Sequence, residues 1–177
     1  MKIDQPITTI EAATSYIRSA ADVFSLLQPV LLATPFPHRN REHVWTISLD
    51  SANKVLHIEL VTMGSVNRAM VEPMELFSTP LQKRAVKLIV AHNHPGGLLR
   101  PSPADRSMAG ELNRLGRELK VPVVDHVIIT EEGYYSFAEQ GQMTEIPRKE
   151  IMHAAMEVST TSFRRIKRKR MTRRRFV

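Results

Sequence analysis

The 177-residue sequence predicts an α/β (α+β) protein, a mixed central β-sheet with flanking helices. Three observations carry that prediction. Segments of helical and strand periodicity follow one another in the order α, β, β, α, β, α, β, β, which suits a mixed sheet with helices packed on it. AVKLIVAHN (residues 85–93) is a short continuous apolar run, the pattern of a strand buried on both faces. Met108, Leu112, Leu115 and Leu119 follow at spacings of four, three and four, one apolar stripe along a helix from Pro103 to Lys120.

The elements are expected in this order. Residues 8–28, TTIEAATSYIRSAADVFSLLQ, read as a helix with Thr8 or Thr9 as N-cap and a stripe of Ile10, Ala13, Ile17, Ala20 and Phe24. Proline-containing PVLLATPFPHRN leads into EHVWTISLD, which alternates as a strand does. SAN turns the chain and KVLHIELVTMG returns it, so residues 43–62 are expected to form a hairpin. Residues 73–87 are helix-like, and Pro80 must either kink that helix or begin it with Thr79 as cap. The strand 85–93 and the helix 103–120 come next, then PVVDHVIIT and YYSFAE as two strands separated by EEG. A last helical stretch is expected at 148–163. The chain thus divides into an N-terminal helical segment (1–28), a central domain (29–145) and a C-terminal helix with a basic tail (146–177).

Composition narrows the chemistry. With 42% hydrophobic and 24% charged residues the chain has a globular balance. It holds no cysteine, which excludes disulfides and thiolate metal sites; any metal must rest on imidazole and carboxylate. The N-terminus has no signal pattern and no apolar run approaches membrane-spanning length, so a cytoplasmic protein with no membrane partner is expected. The net charge of +7 is not evenly spread. RRIKRKRMTRRR (164–175) holds nine basic residues and no acid, which leaves the rest of the chain at −2. Such a block repels itself and is expected to be disordered when free. Its basic residues (Arg164, Arg165, Lys167, Arg168, Lys169, Arg170, Arg173, Arg174 and Arg175) suit DNA or another polyanion. A merely solubilising terminus is the plain alternative. Only Phe163 and Phe176 flank the charges, so base stacking has little support.

AHNHPGGLLRPSPAD (91–105) concentrates the chemistry. His92 and His94 are two apart at the end of a buried strand, so both imidazoles leave on one side, suited to gripping one ion. Pro95, Gly96 and Gly97 let the chain bend around them. Asp105, in the first turn of the following helix, can swing back as a third ligand. Two nitrogens and one carboxylate oxygen leave a fourth position for water, the arrangement of a catalytic zinc site. The same Ser102, Pro103 and Asp105 are equally a good helix start: hydroxyl cap, proline at the first position, acid near the positive end. From the residues alone both readings stand.

His92 and His94, seven residues, then Ser102 and Asp105 resemble the JAMM motif of the JAB/MPN metalloprotease superfamily. HNHPGG, DHVII and YYSFAE are similar, more narrowly, to its RadC branch, long labelled as DNA repair proteins; the resemblance covers residues 28–140. It implies a JAB/MPN (cytidine-deaminase-like) fold and a Zn²⁺ ion held by His92, His94 and Asp105. It further implies that Glu42, opening EHVWTISLD, moves the proton and that Ser102 steadies an oxyanion. The choice of Glu42 over Glu11, Glu59, Glu72 or Glu75 rests on the resemblance alone. The chain departs from the RadC pattern where Gly96 replaces a serine, at Pro80, and in lacking a recognisable helix-hairpin-helix in residues 1–28.

Other residues carry less. His126, inside an apparent strand, is either a satisfied core histidine or a support behind the zinc. Asp125 lies on the opposite face from it. His38 and His43 flank Glu42 and could line the cleft, with surface or loop positions the stronger expectation; His57 and His153 point to no site. Two functions of different class follow: a zinc-dependent metallopeptidase acting on a protein or peptide, or a nucleic-acid-associated repair or mobile-element protein in which the metal either cuts phosphodiesters, as a metal-dependent nuclease, or is incidental. A metal-free scaffold is disfavoured because no residue of the motif is missing. The oligomeric state is not legible.

Overall fold

A computed structural model describes residues 15–64 and 71–143. The chain runs through α1 (Ala20–Ala33), a short 3-10 turn (His38–Asn40), β1 (His43–Leu49), β2 (Val55–Met63), α2 (Pro73–Gln82), β3 (Lys87–Asn93), α3 (Pro103–Glu118), β4 (Val123–Ile129) and β5 (Tyr134–Ser136). This is the expected order of helices and strands. The strands form one mixed sheet ordered β2-β1-β3-β4-β5. Only β3 and β4 are parallel, joined by α3; the other neighbours are antiparallel.

The sheet is covered on both faces, as the apolar run of β3 predicts. Ile89 and Ala91 of β3 join Val23, Leu27 and Leu31 of α1 in one core, with Trp45, Ile47 and Val127. Leu88 and Val90 point to the other face and join Leu76 and Phe77 of α2 and Leu112 of α3. Period-two alternation therefore places the next residue of that second series, His92, on the α3 side. Buried polar side chains at this position need partners, and α3 supplies one.

Two helix expectations require correction. The first helix does not occupy 8–28. Residues 8–14 lie outside the described part, and 15–17 are extended beside the start of β2: Val55 N donates to Ser15 O and Ile17 N to Asn53 O, both at 2.9 Å. Backbone pairing there outweighs the helical stripe. The helix begins after Ser19, whose N–H donates to Asp22 Oδ2 at 2.9 Å, and continues to Ala33. It passes through Pro29, so the boundary expected between 28 and 29 falls inside α1. Pro29 and Ser25, the residue four before it, are both exposed, so the missing N–H falls on the outer face of the helix. Similarly, α2 starts at Pro73, in the first turn where a proline costs nothing, and Pro80 sits in its closing turn rather than starting it.

The junction between α3 and β4 is tight. Lys120 adopts φ 60° and Val121 N donates to Gly116 O at 2.9 Å, ending the helix. A Cβ on Gly116 would lie 2.8 Å from Val121 O and Val123 N, so only glycine lets the helix end meet the strand. Among the described residues no helix is long and apolar enough to cross a membrane. The helical stretch expected at 148–163 and the whole basic tail lie outside the described residues.

Candidate metal centre

The site is assembled by three local decisions of the chain. First, β3 ends at Asn93, and His94 N still donates to Ile129 O at 2.9 Å, which holds His94 in line with β4. Second, the chain turns: Gly97 N donates to His94 O at 3.0 Å and Gly97 takes φ +73°, a conformation side chains resist. Gly96 has no such constraint and nothing within 4 Å of a built Cβ, so the serine of the RadC pattern would fit there. Third, α3 starts as the helix-start reading anticipates. Ser102 Oγ accepts from Asp105 N at 3.2 Å, and Ser102 N donates to Asp105 Oδ2 at 2.6 Å. This reciprocal cap orients the Asp105 carboxylate.

The cap leaves Asp105 within reach of both histidines. His92 Nε2 lies 3.2 Å from Asp105 Oδ1, His94 Nε2 lies 3.4 Å from Asp105 Oδ2, and the two Nε2 atoms are 3.1 Å apart. Ligand atoms of all three lie within 4.8 Å of one another, and the group could hold a metal ion. Ligands at about 2.0–2.1 Å around a tetrahedral zinc are separated by about 3.3 Å. The observed separations are close to that edge. Imidazole nitrogens facing a carboxylate at these distances are satisfied either by protons on the rings or by a cation held between the three groups.

The remaining ring atoms are engaged from behind. His94 Nδ1 donates to Leu98 O at 2.7 Å, which leaves the Nε2 lone pair pointing into the centre. His92 Nδ1 is 2.8 Å from His126 Nε2, and His126 stacks on Phe137. His126 is fully buried, and burial together with the neighbouring His92 pushes its pKa well below the usual imidazole range. It is therefore neutral, and its Nδ1 has no hydrogen-bond partner among the described residues. Burial works against ionised Asp105, but hydrogen bonds from His92 and His94 outweigh it and hold the carboxyl far below the usual range. The same Asp105 contact, with a smaller contribution from the charge of Glu42, raises the pKa of His94.

Glu42 stands just before β1 and is half-buried, near enough for its charge to act on His94. His43 corrects the expectation of a surface or loop position. It is 1% exposed within β1 and stacks on Trp45 at 5.4 Å. His38 is exposed on the 3-10 turn, as expected, and His57 is half-buried. Asp125 stands apart from the centre, accepting from Ser136 Oγ at 2.6 Å and Ala138 N at 2.9 Å. A residue that sequence reasoning missed is Asn93, whose buried amide bonds to the backbone on both sides of Glu42. Its only signal was its place between the two histidines. A cavity of about 480 Å³, lined by Phe36, Arg39, Asn93, His94, Gly97 and Glu131 among others, opens beside His94. His153 and the nine basic tail residues lie outside the described residues.

The amino-acid sequence is matched in other proteins. The model of the RadC-like JAB domain family matches residues 17–143. A UPF0758 protein of Chlorobium chlorochromatii is 34% identical over 125 residues, covering 71% of this chain and 54% of its own. A UPF0758 protein of Flavobacterium johnsoniae is 36% identical over 125 residues, 71% of this chain and 52% of its own. One of Histophilus somni is 39% identical over 110 residues, 62% of this chain and 50% of its own. The chain therefore spans about half the length of the curated relatives it matches.

Proposed function

The chain belongs to the RadC-like JAB domain family, and from that membership we propose that it is a zinc-dependent hydrolase of the JAMM type, cutting an amide or isopeptide bond in a protein or peptide. The observation that carries this reading is the convergence of His92 Nε2, His94 Nε2 and Asp105 within 3.1–3.4 Å of one another, with a reciprocal helix cap fixing the aspartate. Three such ligands leave a coordination position for solvent. Zinc bound there supplies Lewis acidity and lowers the pKa of water to about 7.

The protein's own groups supply the rest. Glu42, close enough for its charge to act on His94, accepts the proton of the attacking water and delivers it to the leaving amine. Ser102 Oγ receives the Asp105 N–H through a lone pair, which leaves its hydrogen to donate to the oxyanion of the substrate carbonyl. His126 and Leu98 O keep the two imidazoles oriented. The cavity beside His94 gives an extended chain room to lie against the centre.

Metal analysis of the purified protein tests the site directly. About one zinc per chain is expected, lost in His92→Ala and Asp105→Ala; full occupancy in both variants would refute the centre. Glu42→Ala should retain the metal and lose turnover. Peptide-cleavage and nuclease assays run in parallel on these chains separate the two classes. The second class, a nucleic-acid-associated protein, is favoured by one observation, the nine basic residues within 164–175.

A further inference from the structure

Asn93 separates the two histidines of the centre and is 1% exposed. Its amide reaches across to the segment before β1. Oδ1 accepts from His43 N at 2.6 Å, and Nδ2 donates to Arg41 O at 3.0 Å. An N–H must meet the oxygen and a carbonyl must meet the NH2, so the partners fix the amide's orientation. His43 Nδ1 adds a bond to Arg41 O at 2.9 Å, and Gly64 N donates to Glu42 O at 2.8 Å. The peptide groups on both sides of Glu42 are thereby tied down.

The register explains what this achieves. β1 and β3 are antiparallel, and their pairing ends with Val44 opposite His92. One step further sets His43 opposite Asn93, and two steps set Glu42 opposite His94. The paired strands stop short of that point, and the Asn93 side chain carries the register on in place of backbone bonds. Alternation then puts Glu42 on the same face as Val44, which is the face of His92 and His94.

We propose that Asn93 is a positioning residue for Glu42, an amide clamp that extends the β1–β3 register to hold the Glu42 carboxylate over the metal centre. This deepens the metallohydrolase reading and rests on it. Asn93 makes no hydrogen bond to a ligand side chain among the described residues, so its loss should disturb the carboxylate and spare the metal. A residue that supports a ligand behaves otherwise, costing about 10- to 100-fold in metal affinity when removed.

The experiment uses the full chain loaded with Co²⁺, with two readouts: Co²⁺ affinity and the pH midpoint of the visible absorption of the cobalt site. Glu42→Gln removes a charge beside the site and should lower that midpoint. Asn93→Ala should move it in the same direction by at least half as much, with Co²⁺ affinity reduced by less than about tenfold. Asn93→Thr, which suits a strand but offers one hydroxyl on a shorter side chain in place of the amide's two polar atoms, should lie between; it carries the comparison alone if the alanine variant does not fold. A wild-type midpoint in the Asn93 variants beside a shifted one in Glu42→Gln overturns the clamp. So does an affinity loss beyond that limit, which would make Asn93 a support for the ligands. Failure of the underlying reading looks different: wild type that takes up no Co²⁺, His92→Ala that binds it unchanged, or Glu42→Gln with an unmoved midpoint, any of which takes the clamp down with it.

Discussion

His43 illustrates how one residue's environment sets its chemistry. Its Nδ1 faces two acceptors, Arg41 O at 2.9 Å and Asn93 Oδ1 at 3.2 Å, so that nitrogen carries the hydrogen. Its Nε2 is buried without a partner among the described residues, and a second proton there would be an unpaired buried charge. Burial accordingly lowers its pKa from the ordinary 6.5, against hydrogen bonds that raise it. The native state thus binds this proton less readily than the unfolded chain. The stability that neutral His43 contributes is complete above pH 6.5 and is lost as pH falls from there through the lowered folded value. Urea midpoints measured at about pH 7.5 and about pH 5.5 should therefore differ less in His43→Gln than in wild type. An equal difference in both chains would place the acid sensitivity elsewhere. Sequence alone could not find this: a histidine beside Glu42 reads as a cleft or loop residue, and only the pairing of β1 between β2 and β3 buries it.

At the scale of elements, the order of helices and strands was legible because each has its own period, and the metal motif was legible because strand end, turn and helix start each have local signatures. The ends of the helices were not. The stripe through Ile10, Ala13 and Ile17 is helical in period, yet residues 15–17 are claimed by pairing with 53–55, a contact between segments almost forty residues apart. Pro29 follows the end expected for the first helix and Pro80 is expected to kink or begin the second, yet α1 tolerates one on its exposed face and α2 the other in its last turn. Gly116 went unremarked because its demand comes from the next element. Its Cβ would meet backbone on β4's side at 2.8 Å. Gly116→Ala should therefore destabilise the protein by about 1–3 kcal/mol despite the better helix propensity of alanine. Gly96→Ala, in open space, should be within about 0.5 kcal/mol of wild type. Denaturant unfolding of the two variants checks the contrast, and equal effects would show that the α3–β4 junction relaxes freely.

Over the whole molecule, charge and chemistry separate along the chain. Nine basic residues lie within 164–175 and the remainder carries a net −2, so under the proposed readings polyanion attraction would rest on residues 164–175 and hydrolysis on the group of His92, His94 and Asp105. The two proposed classes are then not rivals for the same residues, and one cut distinguishes them. Binding through such a tail displaces counterions, with log affinity falling against log salt by about 0.9 for each phosphate neutralised on duplex DNA. A chain truncated after about residue 162 should lose that salt-dependent DNA affinity while keeping its metal and its peptide turnover, because the ligands, Glu42 and Ser102 all precede the cut. The measurement is DNA affinity across a salt series, beside zinc content and hydrolysis, for both lengths. Unchanged DNA affinity would assign the binding to the body or to nothing specific. A loss of hydrolysis on truncation would mean that the basic segment delivers the substrate to the centre, joining the two functions that the charge distribution keeps apart.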